Sequence, residues 1–214
     1  AACIPVVDLA ASDATCVAAV RRACDGAGFF HIRNHGVEAA LISQVIHAGS
    51  ALFDLALRDK LALVRGDMQI SRGYEISPEH RAAMLQGVTA AEEGAAAEPS
   101  AAHRIVSERF SMGPSRAGDR LACSGSGDDY YSGEMGSLFF APNAWPDSGR
   151  HPPAAHLRPA MEAYYARMET LSARLHRLLA EAMGAPPDFF DRRIDRHCSN
   201  LQVANYPTID HQLW

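Results

Sequence analysis

Leu157, Met161, Tyr164, Met168, Leu171, Leu175 and Leu178 recur at alternating steps of four and three. That spacing lays large apolar side chains along one stripe of a single long helix. Gly184 and then Pro186-Pro187 stop it. Burying each such side chain contributes about 1.5–3 kcal/mol, so the stripe demands a broad apolar partner. A sheet is the natural one. The remaining sequence offers only short strand candidates, so much of that sheet is expected to lie outside this chain. The expected class is α/β (or α+β).

Ile4-Pro5-Val6-Val7-Asp8-Leu9 reads as a short strand that tolerates Pro5 at its start. A first helix is expected after Asp13 as N-cap, with Val17, Val20, Ala23 and Cys24 on one face and Gly26 at its end. Residues 28–33 read as a strand closed by the turn Asn34-His35-Gly36. A second helix is expected over 38–57, carrying Leu41, Ile42, Val45, Ile46, Leu52 and Phe53 at helical spacing and continued or capped by residues 58–61. Residues 84–104 are rich in Ala and Glu, a helix or a tolerated insertion. Residues 113–137 are rich in Gly, Ser and Asp and read as a surface loop. Three regions follow: 1–83, a variable 84–142, and 143–214.

Composition narrows the function. The chain is 48% hydrophobic and 21% charged, with net charge −5. It has no extended basic run, which argues against a nucleic-acid or membrane partner. Five cysteines without a CxxC pair fit reduced thiols, and no apolar run spans a bilayer or forms a signal peptide. A cytoplasmic protein is expected. Lysine plus arginine total 20, and only Lys60 is lysine, which reads as genomic base-composition bias.

Three groups of residues carry a resemblance. The first is the strand at Ile4–Leu9 with Cys24-Asp25-Gly26-Ala27-Gly28-Phe29-Phe30-His31-Ile32-Arg33-Asn34-His35-Gly36-Val37. The second is Arg72-Gly73-Tyr74, then Glu108-Arg109-Phe110-Ser111-Met112-Gly113, then Pro142-Asn143-Ala144-Trp145-Pro146. The third is Asn200-Leu201-Gln202-Val203-Ala204-Asn205-Tyr206-Pro207. In this order they resemble the landmarks of the isopenicillin N synthase-like, 2-oxoglutarate-dependent Fe(II) dioxygenases.

The resemblance implies long helices bracing a double-stranded β-helix, or jelly roll, with the barrel largely missing from this chain. It implies Fe(II) in a two-His-one-carboxylate triad, 2-oxoglutarate as co-substrate, dioxygen and a small organic substrate, and it admits ascorbate. Tyr206 corresponds to the family tyrosine that hydrogen-bonds a 2-oxoglutarate carboxylate. The family's strand arginine is Gln202 here and its asparagine is Ala204. Alternation sets Val203 and Asn205 on one face and Ala204 and Tyr206 on the other, so Asn205 is no simple replacement. Arg72 and Tyr74 fall where family members line the substrate entrance, while Phe110 is expected to pack.

The family's triad reads H-x-D with a later His, and none of the ten histidines begins an H-x-D. Asp210-His211 is adjacent and reversed. The iron ligands and the distal R-x-S are therefore expected beyond Trp214. No catalytic residue or metal ligand is assigned within the chain, which is expected to be inactive alone. His31 and His35 lack the H-E-x-x-H pattern and lie on a strand and turn. His197 and Cys198, as strand neighbours, point to opposite faces and form no dyad. The resemblance implies an oxygenase that hydroxylates or desaturates its substrate with release of succinate and carbon dioxide. The alternative is a non-catalytic, truncated or degenerate relative acting as an interaction module.

Overall fold

The structure, a computed structural model, describes residues 4–64, 72–76, 107–114 and 133–207. The expected helix or insertion over 84–104 and the Asp210-His211 pair lie outside the described residues. In chain order the described elements are β1 (Val6–Asp8), α1 (Asp13–Asp25), β2 (His31–Arg33), α2 (Ala39–Phe53), α3 (Leu57–Leu61), β3 (Gly73–Glu75), β4 (Glu108–Met112), α4 (Glu134–Phe139), a 3-10 turn at Pro152–Ala154, α5 (Leu157–Ala182) and β5 (Leu201–Asn205). The chain divides into two compact units, Ala1–Ile42 with Ala163–His197, and Ser43–Glu162 with Cys198–Trp214.

In the first unit β1 and β2 pair in parallel, Val6 opposite His31 and Asp8 opposite Arg33. Val7, Leu9, Cys16 and Val20 bury against Leu171, Leu178 and Ala182 of α5. The C-terminal part of the long apolar stripe thus finds its partner in β1 and α1. Arg21 of α1 donates through Nε to the Ala182 carbonyl at 2.7 Å, satisfying a group that the helix end leaves open. Midway the stripe departs from expectation: Tyr165 is 5% exposed and Met168 is 36% exposed. Tyr165 lies four residues after Met161 and stacks on His197 with ring centroids 6.4 Å apart. His197 is held by Glu169, one turn further along α5, at 3.0 Å.

Several element boundaries differ from the sequence reading for local reasons. Ser12, not Asp13, is the N-cap of α1, accepting from the Thr15 amide. Asp13 becomes the first helical residue, where its charge suits the helix dipole. The strand expected over 28–33 begins only at His31, because Gly28 sits at φ +78°. The second helix breaks after Phe53, whose carbonyl accepts from Lys60 Nζ at 2.8 Å. Part of the loop expected over 113–137 is helical, as α4.

In the second unit β3, β4 and β5 form an antiparallel sheet in that order. Tyr74 lies opposite Phe110, and Phe110 opposite Val203. Gly49 of α2 packs on β5, where an added Cβ would sit 3.5 Å from the Val203 side chain.

Candidate functional site

The register divides the β3–β4–β5 sheet into two chemically distinct faces. On one face Tyr74, Phe110 and Met112 have no exposed surface and Glu108 has 2%. Leu201, Val203 and Asn205 stand opposite Met112, Phe110 and Glu108 and are half-buried. The other face carries Glu75, Arg109 and Ser111, together with Gln202 and Ala204; the same alternation carried one residue past the strand end puts Tyr206 on this side. On this face Arg109, Gln202 and Ala204 are exposed and Tyr206 is 70% exposed, whereas Ser111 has no exposed surface and Glu75 Oε1 is buried, so only its β5 side is open.

The buried face is organised around Glu108. Its Oε2 accepts from Lys60 Nζ at 2.8 Å and from the Tyr74 hydroxyl, and its Oε1 accepts from Asn205 Nδ2 at 2.9 Å. Lys60 also lies over the Tyr74 ring, 5.5 Å from its centroid. Burial, and then the neighbouring Glu108 carboxylate, push the Tyr74 phenol well above the ordinary tyrosine range, so it stays a donor. A buried carboxylate needs this degree of satisfaction, since an unpaired one costs several kcal/mol.

The landmark segments recognised in the sequence are tied together beside this network. Asn143 Oδ1 accepts from the Gly113 amide at 2.8 Å, and Asn143 Nδ2 donates to the Gly113 carbonyl at 3.2 Å. Trp145 packs on Phe110 at 5.5 Å. Arg72 is 4% exposed and donates to Asn200 Oδ1 at 3.0 Å and to the Phe139 carbonyl at 2.6 Å. Its guanidinium fills the space a Cβ at Gly113 would need.

The three site residues expected from sequence are therefore not brought together. Tyr206 stands on the exposed β5 side, whereas Tyr74 stands on the buried face and Arg72 is packed among Gly113, Asn200 and α4. Sequence reasoning gave no role to Lys60 or Glu108. A signal for the first was present: one lysine retained in an arginine-rich chain sits at a buried position that wants a compact cation.

Among the described residues no group of three or more His, Cys, Asp or Glu side chains is placed to hold a metal ion. These residues do not fit an iron site. Just past β5, Tyr206 presents a largely exposed phenol. A separate groove of about 490 Å³ lies between α2 and the start of α5, with His47 and His156 in its lining. Two imidazoles without a third ligand do not make a metal site there. No helix among the described residues is long and apolar enough to cross a membrane.

The family described as non-haem dioxygenase in morphine synthesis N-terminal matches residues 4–148. The chain is 28% identical over 216 residues to isopenicillin N synthase of Streptomyces clavuligerus, covering 97% of this chain and 56% of that protein. It is 26% identical over 198 residues to the 2-oxoglutarate-Fe(II) type oxidoreductase hxnY of Emericella nidulans, covering 92% and 49%. The crystal structure of a full-length Neurospora crassa protein in complex with alpha-KG superposes with a TM-score of 0.68 at 17% identity, covering 98% of this chain and 56% of that one. A 2OG-Fe(II) oxygenase family protein from Caulobacter crescentus gives a TM-score of 0.65 at 18% identity, covering 99% and 59%. The chain belongs to the isopenicillin N synthase-like, 2-oxoglutarate-Fe(II) dioxygenase family. It spans about half the length of the curated relatives it matches, and it shares its fold with solved 2-oxoglutarate oxygenases.

Proposed function

We propose that this chain forms part of an Fe(II)/2-oxoglutarate-dependent oxygenase acting on a small organic substrate, and that the exposed β5 side of the sheet's second face is its co-substrate side. The observation that carries the reading is Tyr206: the tyrosine of the family-like strand is 70% exposed, on the face opposite the buried Glu108 network. In this reading its hydroxyl donates to a carboxylate of 2-oxoglutarate. Bound iron would supply oxidative decarboxylation of the co-substrate, yielding succinate and carbon dioxide, and we propose that residues outside those described hold it. Asn205, anchored to Glu108 on the buried side, fixes the strand so that its neighbour Tyr206 faces outward. Arg72 and Tyr74 act away from the exposed side, Arg72 by tying Asn200, just before β5, to Phe139 at the end of α4, and Tyr74 by keeping Glu108 satisfied.

The test is 2-oxoglutarate-dependent oxygen uptake with succinate formation, measured for the product of the complete reading frame and for the 214-residue chain alone. The reading expects turnover from the first and none from the second. No uptake by the complete product contradicts the oxygenase and favours a non-catalytic interaction module. Coupled turnover by the 214-residue chain shows that the metal site lies within it.

A further inference from the structure

We propose that the groove between α2 and the start of α5 is a binding site for a small, neutral, planar hydroxyaromatic molecule. Its residues take no part in the oxygenase reading above.

The two helices make the groove by turning their large side chains away from it. Leu52 of α2 and Leu157 and Met161 of α5 have no exposed surface and belong to the core. Gln44, His47 and Ala51 follow at steps of three and four, so they share one face of α2. The other wall is His156 and Pro159, three apart at the start of α5, with Pro153 of the 3-10 turn before it. The two remaining lining residues are alanines, and all eight lie in the second unit.

The lining selects its occupant by what it contains and by what it lacks. It holds no lysine, arginine or carboxylate, so it offers no fixed charge to an ion. Arg158, beside Pro159 in the chain, is already paired with Glu162 at 3.1 Å. No large aliphatic side chain lines it, so an acyl chain would gain little there. Its polar groups are two imidazoles and one carboxamide. Those three side chains make no hydrogen bond or ion pair among the described residues, and imidazole and carboxamide can each serve a ligand hydroxyl as donor or acceptor. The alanine and proline walls present apolar surface and lose no rotamer freedom when a ring settles on them.

Size points the same way. A volume of about 490 Å³ falls within the about 300–1,000 Å³ of small-molecule sites. Eight lining residues fall well short of the about 20–30 per side of a stable protein interface, which argues against a second copy or a partner protein.

The experiment titrates the 214-residue chain with resorcinol, cyclohexane-1,3-diol and benzoate, following the His47 and His156 ring signals by NMR. Resorcinol carries two hydroxyls on a flat ring. The diol keeps the hydroxyls without the planarity, and benzoate keeps the ring but replaces the hydroxyls with a charge. The expected result is saturable movement of both histidine signals with resorcinol. The diol should bind about fivefold more weakly for want of a flat face, and benzoate should also bind more weakly than resorcinol. His47 and His156 are exposed, so His47→Ala and His156→Ala leave the fold intact, which circular dichroism checks. Each should weaken resorcinol binding about fivefold by removing a hydrogen-bond partner. Ala51→Leu keeps a strong helix former while filling the groove, and should abolish the shifts. Equal binding of the diol and resorcinol overturns the planar-ring assignment, and tighter binding of benzoate overturns the neutral one. Unchanged resorcinol binding in both histidine variants overturns the site. Histidine signals that move with protein concentration alone make the groove a contact between copies and overturn it as well. No saturable shift with resorcinol overturns the proposal outright.

Discussion

Lys60 shows how one side chain can be specified by a buried partner distant in sequence. At 5% exposure its ammonium donates to the Phe53 carbonyl and to Glu108, two acceptors that a compact point charge can satisfy together. Lys60→Ala leaves Glu108 buried without its counter-charge and should destabilise the protein by about 3–5 kcal/mol, read from the urea midpoint. Lys60→Arg keeps the charge but forces a larger planar group into the same space, and should still cost about 1–3 kcal/mol. Equal stability of Lys60→Arg and the parent chain would show that the site is not packed as described. On the surface, Asp8 accepts from Asn34 Nδ2 at 2.7 Å, from the Ala10 amide at 3.0 Å and from Arg33 Nε at 2.9 Å. The Asn34 bond first, and the Ala10 amide next, hold its carboxyl below the ordinary range. The folded pKa is thus below the unfolded one. The resulting stabilisation is present above the unfolded pKa and lost as pH falls through the folded value. Asn34→Ala should therefore lower stability at neutral pH, with the difference from the parent chain shrinking on acidification in parallel urea titrations.

At the level of elements, Gly73 is the position where the backbone leaves least choice. It sits at φ +80°, and an added Cβ would meet the Leu63 carbonyl. Gly73→Ala should cost about 2 kcal/mol or more, measured by thermal or urea unfolding. The long helix was legible because its apolar repeat runs for many turns. The alternation of β5 was legible as well, since a period of two needs only a few residues to declare itself. What the sequence could not show depends on pairing between distant segments. Tyr74 and Tyr206 look alike as landmark tyrosines, and only the β3–β4–β5 register sends them to opposite faces. The break between α2 and α3 depends likewise on the reach of Lys60 to Phe53. The Tyr165 contact that displaces Met168 from the helix's buried stripe depends on His197, beyond the end of α5.

For the molecule as a whole, the first unit rests on one small core in which Leu178 is 2% exposed. Leu178→Ala should cost about 2–5 kcal/mol and lower the urea midpoint accordingly. The second unit carries the functional argument, a sheet whose buried side is sealed by Glu108 and whose exposed β5 side offers Tyr206. Nitration by tetranitromethane, mapped by peptide mass spectrometry with and without 2-oxoglutarate, addresses both sides at once because the reagent attacks exposed phenolates. Tyr206 should nitrate readily. Tyr74, buried and held protonated beside Glu108, should resist, and 2-oxoglutarate should slow the reaction at Tyr206 alone. Nitration of Tyr74 at a comparable rate, or no protection of Tyr206 by 2-oxoglutarate, would contradict the account.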